Sequence, residues 1–213
     1  MTCLLLGHRG ARASRHIPEN TLASFELCLH HGCDGFEFDV RLSADSQPVI
    51  CHDASIGRMR IEKTTSKSLS VPKLENVLAQ FAHRAFLDIE LKVEGLERLT
   101  LAALRKHPPQ KGYLVSSFLP QVLTAMRDLD AAIPLGFLCD TQEQLKGWRQ
   151  SPAEWVIPQF KMADRQLVEL VHAAGKKIMV WAVNRAEQMR EFADWGVDAV
   201  ISDETELLVR SLR

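Results

Sequence analysis

Short apolar segments alternate with longer amphipathic segments along this chain, and the alternation constrains the fold more than any other feature. The short segments are rich in aliphatic and β-branched residues, as strands are, whereas the longer ones repeat apolar residues at helical spacing. Eight strand–helix units in this order favour a parallel (β/α)₈ TIM barrel. The predicted strands are 3–8, 35–40, 86–92, 112–117, 133–138, 155–158, 177–183 and 199–202. The predicted helices are 18–31, 73–81, 96–107, 120–129, 142–148, 164–174, 186–195 and 204–212.

An open, doubly wound sheet is the alternative fold for the same order of elements. No predicted strand is followed by the G-x-G-x-x-G motif of a dinucleotide site, so nothing favours that alternative. Residues 48–52 extend or follow the second strand, and residues 53–72 are polar and weakly patterned. We therefore expect a single domain over residues 1–213, with 53–72 as a short insertion after the second strand.

Composition and charge exclude several classes of protein. The 213 residues are 46% hydrophobic and 25% charged, which is typical of a globular domain. The net charge of −1 offers no overall attraction for nucleic acid or for an anionic membrane, so we expect neither partner. Five cysteines without a C-x-x-C pair suggest neither a disulfide framework nor a zinc ribbon. The short apolar run at the start predicts no signal peptide, and we expect a cytoplasmic protein.

Charged residues occupy the ends of two predicted strands. Glu37 and Asp39 are two positions apart and therefore point to the same side of their strand. Such close carboxylates repel each other unless a cation joins them, and Mg²⁺ or Ca²⁺ prefers oxygen ligands. Glu90, on the next barrel strand, would complete a site of three carboxylates, and Lys92 could pair with a phosphate. The alternatives are a salt-bridged pair at the strand end and an inward ion pair between Glu90 and Lys92.

Two histidines also fall at predicted strand ends. His8 follows the first strand, and His52 follows the apolar run 49–51. Two imidazoles near one metal suit a reaction in which one group takes a proton and another gives one. The remaining histidines lie mostly on predicted helices or loops and are interpreted as packing or surface residues; they are His16, His30, His31, His83, His107 and His172.

Together these residues resemble the glycerophosphodiester phosphodiesterase family of the PLC-like phosphodiesterase superfamily. The resemblance extends over nearly the whole chain, because eight short motifs occur in the family's order and spacing. They are H-R-G (8–10), P-E-N-T (18–21), E-x-D (37–39), H-D (52–53), I-E-L-K (89–92), S-F (117–118), V-W-A-V-N (180–184) and G-V-D-A-V-I-S-D (196–203).

The resemblance implies a (β/α)₈ barrel and a role for each matching residue. The metal ligands would be Glu37, Asp39 and Glu90, and the acid–base residues would be His8 and His52. Arg9 and Lys92 would bind the phosphate, and Trp181 would line the glycerol or leaving-group pocket unless it is a core residue. Two positions depart from the family pattern: the insertion 53–72 is shorter than usual, and Ala182 replaces the common threonine.

The function implied is metal-dependent hydrolysis of glycerophosphodiesters to glycerol 3-phosphate and an alcohol, which belongs to glycerol and lipid metabolism. A small water-soluble diester is the expected partner, without stable membrane association, and the chain is expected to be a monomer or a homodimer. A lysophospholipase D-like hydrolase of lysolipids is one alternative. A non-catalytic barrel that binds a phosphoester is another, and it is disfavoured because every expected position is filled.

Overall fold

A computed structural model describes residues 3–213 of the chain. Within these residues the strands are β1 (Leu4–Gly7), β2 (Gly35–Leu42), β3 (Pro48–Ile50), β4 (Ser55–Ile56), β5 (Met59–Arg60), β6 (Phe86–Leu91), β7 (Tyr113–Ser117), β8 (Leu135–Cys139), β9 (Trp155–Pro158), β10 (Lys177–Val180) and β11 (Ala199–Ser202). The α-helices are α1 (Leu22–His30), α2 (Ser66–Leu69), α3 (Leu74–Phe81), α4 (Glu97–Lys106), α5 (Pro120–Leu129), α6 (Gln142–Lys146), α7 (Arg165–Ala173), α8 (Ala186–Trp195) and α9 (Thr205–Leu212).

Eight of the strands form a closed parallel barrel, in the order β1, β2, β6, β7, β8, β9, β10 and β11. The ring closes because β1 pairs with both β2 and β11, with Leu6 opposite Gly35 on one side and opposite Ile201 on the other. The predicted (β/α)₈ barrel is therefore confirmed, and the open sheet is wrong.

Side chains alternate between the barrel interior and the surrounding helices, as the pleat of a strand requires. On β2, Phe36 and Phe38 point outward, and Phe36 stacks on Phe25 of α1 with ring centroids 4.3 Å apart. The intervening Glu37 and the following Asp39 consequently point inward. Inside the barrel, apolar side chains of other strands form a separate cluster that includes Leu6, Leu114, Leu138, Ile157 and Met179.

The segment after β2 lies outside the ring of parallel strands. β3 pairs antiparallel with β2, with Val40 opposite Ile50. β4 and β5 then form a small hairpin whose turn contains Gly57 at φ +57°, a backbone conformation that glycine adopts without steric cost. The buried side chains of Val49, Ile61 and Leu69 form a minor core beneath this segment. The expected insertion after the second barrel strand is thus present.

The predicted boundaries differ from the structure mainly where a side chain or an unusual φ ends an element. Helix α1 begins at Leu22 rather than near Pro18, because Asn20 has φ +57° and Thr21 caps the helix by accepting a hydrogen bond from Ser24 N. The seventh barrel strand ends at Val180, because Trp181 makes only an isolated bridge to the preceding strand. Among residues 3–213, no helix has both the length and the apolar character needed to cross a membrane.

Candidate active site

A cavity of about 280 Å³ opens at the carboxyl ends of the barrel strands. This is the end at which parallel barrels carry their functional residues, because the loops after the strands converge there. The lining residues come from β1, β2, the segment after β3, β6, β7, β8, β10 and β11, or directly follow these elements. They are His8, Arg9, Glu37, His52, Glu90, Lys92, Phe118, Leu138, Asp140, Trp181 and Ile201.

The H-R-G motif forms a tight turn at the end of β1. Arg9 and Gly10 have φ of +54° and +80°, and a Cβ at residue 10 would lie 2.7 Å from the carbonyl carbon of Ser24. Glycine is required there because both the conformation and the close approach exclude a side chain. The turn directs the backbone N–H of Arg9 to Glu37 Oε2, to which it donates over 3.0 Å.

Three buried carboxylates meet beside this turn. Glu37 and Asp39 of β2 and Glu90 of β6 each offer an oxygen, and these oxygens all lie within 4.8 Å of one another. The register of the sheet brings them together, because Asp39 is paired with Glu90 across β2 and β6. One oxygen of each β2 carboxylate is fixed by the protein: Arg9 N–H donates to Glu37 Oε2, and Asn20 Nδ2 donates to Asp39 Oδ2 over 2.8 Å.

Two oxygens of this cluster lack hydrogen-bond donors. Within residues 3–213, Glu37 Oε1 and Asp39 Oδ1 are buried and accept no hydrogen bond. Glu90 Oε1 is paired with Lys92 Nζ, which lies 2.6 Å from it and 3.3 Å from Asp39 Oδ1. Buried carboxylate oxygens without donors are costly for a fold, and a hard divalent cation satisfies such oxygens directly. The residues present therefore fit a divalent metal ion.

Burial and mutual repulsion change the pKa of these carboxyl groups. Burial, followed by the charges of Asp39 and Glu90, raises the pKa of Glu37 well above its ordinary value. Burial and the charge of Asp39 raise the pKa of Glu90 to about 8. Burial also opposes the ionisation of Asp39, but Lys92, Arg9 and the hydrogen bond from Asn20 outweigh it, so its pKa is lowered. Burial and mutual repulsion thus oppose the ionisation of all three carboxyl groups at once, and a bound cation would favour it.

The P-E-N-T motif supports this site with three consecutive side chains. Glu19 accepts a hydrogen bond from Arg9 Nη1 over 2.7 Å and holds the guanidinium beside Asp39. Asn20, whose left-handed φ asparagine tolerates, binds Asp39 through both its amide nitrogen and its amide oxygen. Thr21 caps α1. Three consecutive residues of the motif therefore hold the side chain of Arg9, the candidate metal ligand Asp39 and the start of α1 in place.

His8 is held from behind by Asp203, which directly follows β11. The distance from His8 Nδ1 to Asp203 Oδ1 is 2.7 Å, and the His8 Nε2 atom lies 3.9 Å from Glu37 Oε2. Burial opposes the ionisation of Asp203, but hydrogen bonds to His8, Arg12 and Asn184 lower its pKa below the ordinary value. An ionised carboxylate can only accept a hydrogen bond. The Nδ1 atom of His8 is therefore the protonated nitrogen, and its N–H donates a hydrogen bond to Asp203. Its Nε2 atom is left for the cavity.

His52 lies closer to the rim than His8. Its side chain is 36% exposed, compared with 10% for His8, and its Nδ1 atom is 2.8 Å from Asp53 Oδ1. Arg41 Nε donates to the backbone oxygen of His52 over 2.7 Å, which fixes the segment after β3 against β2. Burial lowers the pKa of His52. The two imidazoles thus line one cavity from different strand ends, each with a carboxylate at Nδ1.

A model of the glycerophosphoryl diester phosphodiesterase family matches residues 8–113 and 89–207 of the chain, which together include every residue that lines the cavity and the three carboxylates. The chain belongs to this family. The enzyme class expected from the sequence is therefore confirmed, and so is the resemblance on which that expectation was based.

Curated relatives and solved structures agree with the family assignment over nearly the full length. A glycerophosphodiester phosphodiesterase of Caldanaerobacter subterraneus subsp. tengcongensis is 26% identical, with 100% of this chain and 99% of the relative covered. A phosphodiesterase of Oleispira antarctica, solved in complex with the product sn-glycerol-3-phosphate, is 28% identical with a TM-score of 0.85, covering 99% of this chain and 96% of the other. A glycerophosphodiester phosphodiesterase of Thermotoga maritima is 25% identical with a TM-score of 0.82, covering 99% and 98%.

The structure brings together all eight residues that the sequence singles out. Seven of them line the cavity, and Asp39, which is fully buried, lies within the carboxylate cluster. The ion pair between Glu90 and Lys92, considered above as an alternative to a metal site, is also present. The supporting residues Asn20, Asn184 and Asp203 received no role from the sequence, although each occurs in a motif shared with the family.

Proposed function

We propose that this chain hydrolyses glycerophosphodiesters to glycerol 3-phosphate and an alcohol, and that the reaction requires a divalent metal ion. The observation that carries the proposal is the placement of two carboxylate-held histidines beside three buried carboxylates in one cavity. The product complex of the Oleispira antarctica structure supports the same product class for this chain.

Glu37, Asp39 and Glu90 would hold the metal ion. Their donor atoms are all carboxylate oxygens, a set that suits Mg²⁺ or Ca²⁺ better than a softer metal. When bound, such an ion neutralises charge that develops on phosphate oxygens and lowers the pKa of a hydroxyl group next to it. The protein prepares for it by fixing one oxygen of Glu37 and one of Asp39.

Arg9 and Lys92 are the cations available to the remaining phosphate oxygens. Both side chains are mostly buried, and both are held next to the carboxylate cluster, Arg9 by Glu19 and Asp39 and Lys92 by Glu90. The Arg9 Nε atom lies 3.2 Å from Asp39 Oδ2, so the other side of the guanidinium is the part that can face the cavity. A planar guanidinium suits a phosphate oxygen, because charge-assisted hydrogen bonds to phosphate are short and strong.

The histidines would move the protons of the reaction. With Nδ1 committed to Asp203, His8 presents Nε2 as the atom that takes or gives a proton, and His52 does the same with Asp53 behind it. One imidazole takes a proton from the attacking hydroxyl, and the other gives one to the departing alkoxide. Either water or the glycerol 2-hydroxyl of the substrate can serve as the nucleophile in this arrangement.

The size of the cavity supports a small substrate over a lysolipid. Its volume of about 280 Å³ is just below the range of about 300–1,000 Å³ that is usual for pockets that hold drug-sized ligands. An acyl chain gains about 0.8 kcal/mol per CH₂ that it buries, and a cavity of this volume leaves little room for such a chain beside the phosphate and the glycerol. The cytoplasmic location and the monomeric or homodimeric state stay predictions from the sequence.

The proposal is tested by measuring glycerol 3-phosphate release from glycerophosphoethanolamine with added Mg²⁺ or Ca²⁺ and with excess EDTA. We expect turnover with metal and its loss in EDTA, restored by adding the metal back. A parallel assay with lysophosphatidylethanolamine, below its micelle concentration, has the same head group with an acyl chain. A higher kcat/KM for the lysolipid would favour the lysophospholipase D alternative, and full activity in EDTA would contradict the metal requirement.

A further inference from the structure

The side of the cavity that faces the histidines and the carboxylate cluster is almost entirely apolar. It is formed by the ends of β7, β8, β10 and β11, and we call it the apolar half; its residues are Phe118, Leu138, Asp140, Trp181 and Ile201. The indole N–H of Trp181 is already used, because it donates to the backbone oxygen of Ile157 over 3.1 Å. Asp140 is consequently the one side chain of the apolar half with polar atoms free for a ligand.

Asp140 is solvent-exposed where it lines the cavity, and its carboxylate has no cationic partner in the part of the chain that the structure describes. Its N–H donates to Gln144 Oε1 over 3.0 Å, and the next residue, Thr141, caps α6. Among residues 3–213, no lysine, arginine or histidine is within 4.0 Å of the Asp140 carboxylate, and no donor is bonded to it. Asp203, in contrast, is bonded to both a histidine and an arginine.

A lone carboxylate at this position repels an anionic phosphodiester, unless the substrate itself brings a positive charge. Three carboxyl groups already lie in or beside the cavity with Arg9 and Lys92. Asp140 therefore adds a further acidic group to a region with fewer basic than acidic side chains. A neutral, hydroxyl-rich group would find few hydrogen-bond partners among the other residues of the apolar half. An ammonium group would be attracted both to the carboxylate and to an aromatic face.

Trp181 provides the aromatic face. Its ring packs edge-on against Phe118, with centroids 5.6 Å apart, and it is only partly buried. Lys92 Nζ lies 5.6 Å from the centroid of Phe118, so that ring already has a cation near it. Within the described residues no lysine or arginine lies over Trp181, whose ring centroid is 6.3 Å from that of His8, and tryptophan is the aromatic residue that binds cations best.

We propose that the apolar half binds the ammonium group of the leaving alcohol, with Asp140 as the specificity-determining residue. The preferred substrates are then glycerophosphodiesters of amino alcohols such as choline and ethanolamine, rather than those of glycerol or other neutral alcohols. This inference rests on the proposed function, because it assumes that a phosphodiester occupies the polar side of the same cavity.

The test compares two diesters of glycerol 3-phosphate that have the same shape and differ in charge. One carries choline, and the other carries 3,3-dimethylbutanol, in which carbon replaces the quaternary nitrogen. The quantity measured is the ratio of their kcat/KM values in the wild-type chain and in Asp140→Asn, because intrinsic leaving-group reactivity cancels between the two proteins. We expect the preference for choline to fall by up to about fivefold in Asp140→Asn, with the dimethylbutyl diester little affected.

Glu143→Gln is the matched control, since it removes one negative charge from the following helix at a residue that does not line the cavity. It should leave the ratio unchanged. Equal ratios in wild type and Asp140→Asn, or an equal loss on both diesters, would overturn the head-group assignment while hydrolysis itself stands. If the wild-type chain hydrolyses neither diester with metal present, the proposed function fails and the head-group inference fails with it.

Discussion

Both sides of the cavity are formed by residues at the carboxyl ends of barrel strands, but these residues are mainly charged on one side and mainly apolar on the other. Strands β1, β2 and β6 contribute histidine, arginine, lysine and carboxylates, and we call this the polar half. The inward positions of β7, β8, β10 and β11 are mainly aromatic or aliphatic and continue the apolar interior of the barrel. Among residues 3–213, the carboxylates that are buried next to one another lie in the polar half, where Glu37 and Glu90 have raised pKa values. The comparison indicates that the buried carboxylates of the polar half destabilise the folded chain but provide the reactive site. The apolar half stabilises the barrel by burying apolar side chains, and it shapes the pocket.

Neutralising one carboxylate of the polar half should have the largest effect on activity. Glu37→Gln and Asp39→Asn keep the shape but remove a metal ligand, which is worth several kcal/mol in such reactions, or about 10³-fold in kcat/KM. Stability should not fall for Glu37→Gln, because one of three mutually repelling buried carboxyl groups is replaced by a neutral amide. Steady-state kinetics and the melting temperature of the metal-free protein measure the two effects. A substantial loss of melting temperature together with retained activity would show that Glu37 has a structural role instead.

Removing the imidazole of either His8 or His52 should cause the second-largest loss of activity. His8→Ala and His52→Ala should each lower kcat by about 10²–10⁴-fold, the range for general acid–base groups, with smaller changes in KM. His31→Ala is a suitable control, since His31 lies at the end of α1, where it contacts Thr205 away from the cavity. Near-normal kcat in either active-site variant would remove that histidine from the proton transfers.

Replacing Asp203, which is hydrogen-bonded to His8, should lower kcat less than removing the imidazole ring of His8. Asp203→Asn no longer fixes the proton on His8 Nδ1, so we expect kcat to fall about 10²-fold, with little change in KM. A merely structural role would not shift the pH dependence of kcat. An altered pH profile with an unchanged melting temperature is therefore the result that identifies Asp203 as a positioning residue, and an unchanged profile would contradict it.

A variant of the apolar half should lose stability but keep most of its activity, which is the reverse of what we expect for the carboxylate variants. Leu138 is 3% exposed inside the barrel, and Leu138→Ala should destabilise the fold by about 2–5 kcal/mol through lost burial and a residual cavity. Because this residue bears no reacting group, kcat should change only slightly and KM by a few-fold. Denaturant unfolding and kinetics below the melting temperature separate the two effects. A loss of kcat as large as that of Glu37→Gln would break the distinction between the halves.

The sequence contains enough to predict the barrel from the alternation of strand and helix patterns, whereas the roles of the polar-half residues come from the family resemblance. Spacing by two places Glu37 and Asp39 on one face whatever the neighbouring strands are. The pairing of Asp39 with Glu90 depends on the register between β2 and β6, which spacing alone does not give. The contact of His8 with Asp203 joins residues 195 positions apart and forms only when β1 and β11 close the ring. The lone carboxylate of Asp140 is likewise visible only once its surroundings are known.

Direct binding of a divalent ion to the carboxylate cluster tests the central claim of this account. Calorimetric titration of Mg²⁺ and Ca²⁺ into the wild-type chain at pH 8 should give one ion per chain. Because Glu37 and Glu90 have raised pKa values, with Glu90 at about 8, protons compete with the ion at lower pH and are released on binding.

Binding should therefore weaken about tenfold or more between pH 8 and pH 6, and heats measured in buffers of different ionisation enthalpy should reveal the released protons. Glu37→Gln should bind the ion far more weakly than the wild type at pH 8. Saturable binding that is equal in the wild type and in Glu37→Gln, or no binding by a chain that hydrolyses its substrate in EDTA, would contradict the account.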